Sequence, residues 1–346
     1  MSYLPVVKVA TAHAAPIFLD RAASVEKALA LIREASRHGA ELIAFPESFI
    51  PAFPVWAALW APIDNHDLFE RFAGESLYAD GAEIAQIAAE ARRSSIFVSF
   101  GFSERSHASV GCLWNANLLI DDRGMVLNHH RKLVPTFYEK LVWASGDGAG
   151  LQVADTRIGR IGGLICGENT NPLARYALMA QGEQIHISSW PAQWPTRRPV
   201  SGANFDNLAA NRLRAGAHSF EAKAFGIVSA GYLSREMRDF LVDRDPSAAA
   251  VIDDSPRAAS MFVDPSGAAL GDILCEDEGI AYAEFDLNRC VEPKQFHDVV
   301  GYYNRFDVFS LNVTRLRHEP ISWATEPHAA SAEERETPPQ EACAPV

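Results

Sequence analysis

The sequence has few cysteines, no long apolar run and a shortage of positive charge. Its five cysteines, at 112, 166, 275, 290 and 343, form no C-x-x-C pair and show no metal-ligand spacing. That argues against a disulfide framework or a structural metal and for reduced thiols, as in a cytoplasmic compartment. No apolar stretch nears membrane-spanning length. The N-terminal segment lacks a signal-peptide core, because Lys8, His13 and Pro16 interrupt it. Lysine and arginine number 31 against 44 acidic residues, a net charge of −13. A surface of that sign disfavours nucleic acid and anionic membrane as partners. What is present is a 346-residue chain with 48% hydrophobic content, enough for a large core.

Read in order, the chain opens with a strand over 6–12 and a helix from about 24. Val25, Ala28, Leu29, Ile32 and Ala35 share one helix face, and Gly39 stops it. A strand over 41–45 follows. This opening predicts an α/β protein with layered strands and helices outside. The capping-box pair Asp80 and Glu83 predicts the next helix, before a strand over 96–102. A hairpin is expected from 113–120 and 125–129, around Asp121-Asp122-Arg123-Gly124. Further strands fall at 151–155, 161–165, 184–190 and 226–232, with a helix between 205 and 225. Residues 235–260 read as a polar surface excursion, and 260–263 with 280–285 as a closing hairpin around Asp264-Pro265-Ser266-Gly267. Residues 1–317 form one expected domain. Residues 318–346, rich in Glu, Ala and Pro, read as a disordered tail.

Two stretches carry candidate chemistry. In GGLICGENTNPLARY, 162–176, an apolar strand ends at Cys166 and Gly167 permits a sharp turn. Asn171 can cap the following helix, with Pro172 in its first turn and Leu173, Tyr176, Ala177 and Ala180 on one face. A thiol there is either a nucleophile, its thiolate favoured by the helix N-terminus, or a small buried hydrophobe. In AFPESFIPAFPVW, 44–56, Pro46 ends a strand and leaves Glu47 at its carboxyl end among Phe45, Phe49 and Phe53. Such a carboxylate is either a poorly solvated general base or an ordinary solvated glutamate. The aromatics are core or pocket. The cluster His129, His130, Arg131 and Lys132 reads locally as a solvated loop. Adjacent histidines cannot share one strand face, so the pair is a poor metal site. Gly146, Gly148 and Gly150 do not open a helix after a strand, which makes a phosphate loop a poor reading.

These two stretches, with HHRKLVPTFYEKLVWASGDG at 129–148 and DVVGYYNRFDVFSL at 298–311, together resemble the nitrile-hydrolysing branch of the nitrilase family. The resemblance spans residues 5–315 with the blocks in order. It implies an α-β-β-α sandwich and a site of Glu47, Lys132 and Cys166, with Glu139 orienting the lysine. It implies hydrolysis of a small organic nitrile and water to acid and ammonia through a thioimidate and a thioester, with no metal or organic cofactor. Amide release and amidase activity are the enzymatic alternatives. A silent assembly protein is the non-enzymatic one, disfavoured by the intact site residues. The resemblance also implies a homo-oligomer, dimer-based and extending to spirals. Many nitrilases carry tryptophan where this chain has Gly167, a departure that bears on substrate size. The strand over 184–190 is expected to open beside Cys166, so that Ser189, Trp190, Pro191 and Trp194 wall the pocket, with core packing the alternative for both tryptophans. Phe53 and Asn169 complete the expected substrate contacts.

Overall fold

The computed structural model describes residues 4–321. Strands β1 (Val6–His13), β2 (Leu42–Ala44), β3 (Phe97–Arg105), β4 (Leu113–Ile120) and β5 (Val126–Arg131) build a first sheet. A second comprises β6 (Ala154–Thr156), β7 (Gly159–Ile165), β8 (Ile185–Trp190), β9 (Phe225–Ala230), β10 (Ser260–Val263) and β11 (Ala269–Leu274). The last strand, β12 (Gly279–Asp286), returns to pair antiparallel with β1. The orders are β12-β1-β2-β3-β4-β5 and β11-β10-β9-β8-β7-β6. Within them β1-β2-β3 and β7-β8-β9 run parallel.

The period-two pattern of β1 explains the layering. Val7 and Val9 point inward, where they meet Ile161, Ile185, Phe225 and Phe262 of the other sheet. Ala10 and Ala12 point outward, and their small side chains let helices lie close. Helices Arg21–Arg37 and Ala82–Ser94 cover that outer face with Val25, Ile32, Ile84 and Ile87. Helices Pro172–Met179 and Asn207–Ala222 cover the second sheet through Ala174, Leu178 and Ala215. The result is the expected α-β-β-α sandwich. No helix among the described residues is long and apolar enough to cross a membrane.

Several local expectations are corrected. The first helix starts earlier, at Arg21, because Asp20 caps it by accepting from the Ala23 N–H. Asp80 caps nothing: Gly81 is the N-cap of Ala82–Ser94, and Asp80 pairs with His107. Residues 235–260 are not an irregular excursion but contain helices Arg235–Arg244 and Ala248–Asp254. Their apolar stripes are two residues each, Met237 with Leu241 and Ala248 with Ile252, too short to show through the surrounding charge. The turn at 264–267 joins β10 to β11, not to β12. Gly271, inside β11 at φ +71°, had muted that strand's pattern. On Pro172–Met179 the buried face is Ala174, Ala177 and Leu178, whereas Leu173 is 61% exposed. The expected tail lies, beyond residue 321, outside the described residues.

Candidate active site

Glu47, Lys132, Glu139 and Cys166 come from four separate segments and meet at one buried point. Glu47 follows β2 on a loop that β3 holds closely. Ser99 and Gly101 carbonyls accept from the Phe45 and Phe49 N–H groups, both at 2.8 Å. A Cβ on Gly101 would stand 2.2 Å from the Pro46 carbonyl oxygen, so only glycine permits this approach. Lys132 follows β5, and its Nζ donates to Glu47 Oε1 at 2.7 Å and Glu139 Oε2 at 2.5 Å. Glu139 sits on the 3-10 turn Phe137–Leu141, where it also accepts from the Thr136 N–H. Cys166 follows β7 and takes φ +51°, a left-handed conformation that costs a non-glycine residue about 1 kcal/mol or more. One oxygen from each of Glu47 and Glu139 and the Cys166 sulfur lie within 4.8 Å of one another. Such a set could serve a cation, and the Lys132 ammonium already lies against both carboxylates.

The basic cluster at 129–132 is not a solvated loop, as its composition suggested. Three of its residues belong to β5, and their alternation sorts four side chains onto two faces. His129 and Arg131 face Glu104, which accepts from both. His130 and Lys132 face the site. Charge here is satisfied by carboxylates instead of water.

Electrostatics follow from burial. Removal from water pushes the Glu47 carboxyl up to about 7, against the opposing pull of Lys132. Burial disfavours the Lys132 charge, but the Glu139 and Glu47 carboxylates against it outweigh that and raise its pKa well above the ordinary value. The Cys166 thiol is pushed well up, by burial first and then by Glu47. The expected thiolate at a helix N-terminus is therefore corrected. Cys166 opens a 3-10 turn, Cys166–Thr170, and the helix begins only at Pro172. The side chain of Asn171 already occupies that helix's Leu173 and Ala174 N–H groups. With one ammonium already facing two carboxylates, a resting thiolate would add an uncompensated negative charge.

Two residues that hold this geometry were not anticipated. Asn115, on β4, donates to Glu47 Oε1 at 2.6 Å and accepts, through its carbonyl, from the Lys132 N–H. Glu168 accepts from the N–H groups of Leu133 and Ile165 and from His130 Nε2. Leu133 and Ile165 adjoin Lys132 and Cys166, so one carboxylate ties the two functional segments together. Burial works against its charge, yet His130 and the two N–H groups keep the Glu168 pKa below its ordinary value. Its one sequence cue was a carboxylate two residues past Cys166, directly after an apolar strand.

The expected substrate contacts divide. Asn169 donates to the Leu164 and Cys166 carbonyls and bonds His186, so its amide is committed to the elbow. Trp190 is fully buried, packs with Cys166 and Ile165, and donates to Ser188 Oγ. Trp194 is half-buried and stacks on Tyr138, ring centroids 5.8 Å apart. Phe53 lies edge-on to Tyr138 at 6.3 Å. At Gly167 a Cβ would meet Thr136 Oγ1 at 2.7 Å, so Thr136 occupies the space a larger residue would need.

Glu168→Gln places an amide NH2 where a second acceptor is required. We expect kcat to fall about 10- to 100-fold with KM changed little, and stability to drop by about 1–3 kcal/mol. Steady-state kinetics and urea unfolding measure both; unchanged kcat would remove Glu168 from the positioning role.

Residues 8–295 match the carbon-nitrogen hydrolase family. Among similar proteins, an aliphatic nitrilase of Rhodococcus rhodochrous is 32% identical over 94% of this chain and 84% of its own. A nitrilase of Pseudomonas syringae is 36% identical over 91% and 90%. The fold is similar to that of the C. elegans NitFhit protein, TM-score 0.68 at 18% identity, over 92% of this chain and 69% of that one. Saccharomyces cerevisiae Nit3 superposes with TM-score 0.66 at 18% identity, over 88% and 97%. The chain belongs to the nitrilase family of carbon-nitrogen hydrolases.

Proposed function

We propose that this chain hydrolyses an organic nitrile to the carboxylic acid and ammonia, with Cys166 as nucleophile. The observation that carries it is the Lys132 ammonium shared by Glu47 and Glu139, beside a thiol on a strained strand end. Glu47 Oε2 is buried without a hydrogen bond, free to take the Cys166 proton. The sulfur then attacks the nitrile carbon, and the nitrogen is protonated to give a thioimidate. Lys132 stabilises charge developing on that nitrogen. Glu47 next activates water; the tetrahedral adduct expels ammonia and leaves a thioester. A second water releases the acid and restores the thiol. Loss of thiolate instead of ammonia from the same adduct would yield amide, so an assay for acid, amide and ammonia distinguishes the outcomes.

Cys166→Ala should abolish turnover while the protein stays folded, and a slow nitrile should leave a mass adduct on Cys166 alone. Because the base works ionised and burial raises the Glu47 pKa to about 7, kcat/KM should fall as pH drops through about 7. An active Cys166→Ala protein, or a rate flat down to pH 5, would overturn the assignment.

For the substrate's organic group we favour the aromatic side of the site. A cavity of about 250 Å³ touches Trp60, Phe137 and Tyr138, the last two on the turn that carries Glu139. Phe53 and Trp194 flank Tyr138, and Trp190 serves as packing beneath the nucleophile. Trp194→Ala should shift relative kcat/KM toward bulky nitriles by about 1–3 kcal/mol. Equal losses on small and bulky nitriles, with a lowered Tm, would place Trp194 in packing only.

Self-association is the remaining part of this reading. Leu173, Phe306 and Phe309 are each more than 60% exposed around a groove between Pro172–Met179 and residues 299–315. We assign a second copy of the chain to this apolar surface. Sedimentation should show a dimer or larger species; a fully active monomer would refute it.

A further inference from the structure

A second buried polar cluster joins Glu183, His186 and His218, none of which the proposed chemistry uses. Glu183 precedes β8, His186 lies within β8, and His218 comes from helix Asn207–Ala222. Glu183 Oε1 meets His186 Nδ1 at 2.8 Å and Oε2 meets His218 Nε2 at 2.7 Å. The two imidazoles stack with centroids 3.6 Å apart. A Cβ on Gly162 would stand 2.2 Å from Glu183 Oε1, so the glycine in the nucleophile's own strand makes room for this carboxylate.

The cluster reaches the elbow through Asn169. Its Nδ2 lies 3.2 Å from the Leu164 carbonyl oxygen and 3.0 Å from that of Cys166. Both are acceptors, so the amide orientation is determined: NH2 toward the elbow, Oδ1 toward His186 Nε2 at 2.8 Å. An oxygen there requires a proton on Nε2. The Glu183 carboxylate requires one on Nδ1. His186 therefore donates from both nitrogens, and Glu183 carries the balancing charge. His218 is the neutral member: its Nδ1 has no hydrogen bond, and burial followed by the neighbouring His186 lowers its pKa to about 4. Burial opposes ionisation of Glu183, but His186 and His218 outweigh it and bring its pKa down to about 2.

We infer that His186 is a positioning residue for the nucleophile: held by Glu183 as a doubly donating ring, it locks the Asn169 amide that grips the carbonyls of Leu164 and Cys166. Cys166 needs such a grip, because φ +51° persists only where surrounding bonds over-determine the backbone. The inference rests on Cys166 being the nucleophile.

Imidazole nitrogen spectra of the full chain, assigned through His186→Gln and recorded at the pH of the activity assay, should show both His186 nitrogens protonated. A neutral ring signal there would overturn the inference, as would stoichiometric zinc bound by the chain and lost in His186→Gln. His186→Leu and Asn169→Ala should each lower kcat about 100-fold with KM nearly unchanged, the scale of a small displacement at a reacting centre. Because both act through one bond, the double variant should lose no more than the worse single one; additive losses would overturn the inference. Should His186→Leu not fold, His186→Gln, whose amide can still donate to Asn169, should stay within about tenfold of the natural chain, and a larger loss counts against the ring's role as donor. If Cys166→Ala proves active, the nucleophile assignment fails while the ring spectrum still reports on His186, so the two failures separate.

Discussion

One buried ammonium between two carboxylates sets the terms for the rest of the structure. Lys132, Glu47 and Glu139 have fully buried side chains, and none would be tolerated there alone. Removing one partner of such a group typically costs about 3–5 kcal/mol, whereas replacing the whole set with apolar residues is often neutral. Stability therefore does not explain the arrangement. The proposed chemistry does: the same desolvation that makes the trio costly raises the Glu47 pKa and pushes the Cys166 thiol pKa well up, so that the thiol would need a base to take its proton.

Around that centre the fold invests in fixing a short elbow. Glu168 ties Ile165 to Leu133, and Asn169 holds the carbonyls of Leu164 and Cys166. Each polar residue of the elbow is satisfied by its immediate surroundings, which leaves the thiol as the group with chemistry to offer. Asn115 does the same for the opposite wall, bonding Glu47 by its side chain and Lys132 by its carbonyl. These tethers span strands far apart in sequence but adjacent in space.

The framework was legible because it is periodic. Val7 and Val9 alternate with Ala10 and Ala12, the stripe Val25, Ala28, Leu29 and Ile32 repeats at helical spacing, and Asn171-Pro172 announces a helix start. What failed to show was either short or dependent on partners. Met237 with Leu241 is one helical repeat, and β11 carries a glycine in mid-strand. The cluster 129–132 looked solvated because charge in a sequence does not reveal its counter-charge. Glu104, Glu168, Glu47 and Glu139 supply it from elsewhere. The expectation that Glu47, Lys132, Glu139 and Cys166 belong together came from the resemblance of whole sequence blocks, not from any single residue, and the structure does bring the four side chains to one point. Asn169 illustrates the limit: it was expected among the substrate contacts, and only its partners reveal that its amide bonds the elbow and His186.

The division of the site between the sheets has a consequence for folding. Glu47 and Lys132 extend from β2 and β5 of one sheet, whereas Cys166 extends from β7 of the other. Neither sheet alone carries Glu47, Lys132 and Cys166 together. The candidate site exists only once the two layers have docked through Val9, Phe97, Ile187 and Phe225. Under the proposed chemistry, turnover is a coincidence detector for assembly, since the buried Cys166 thiol meets Glu47 only when the sandwich closes.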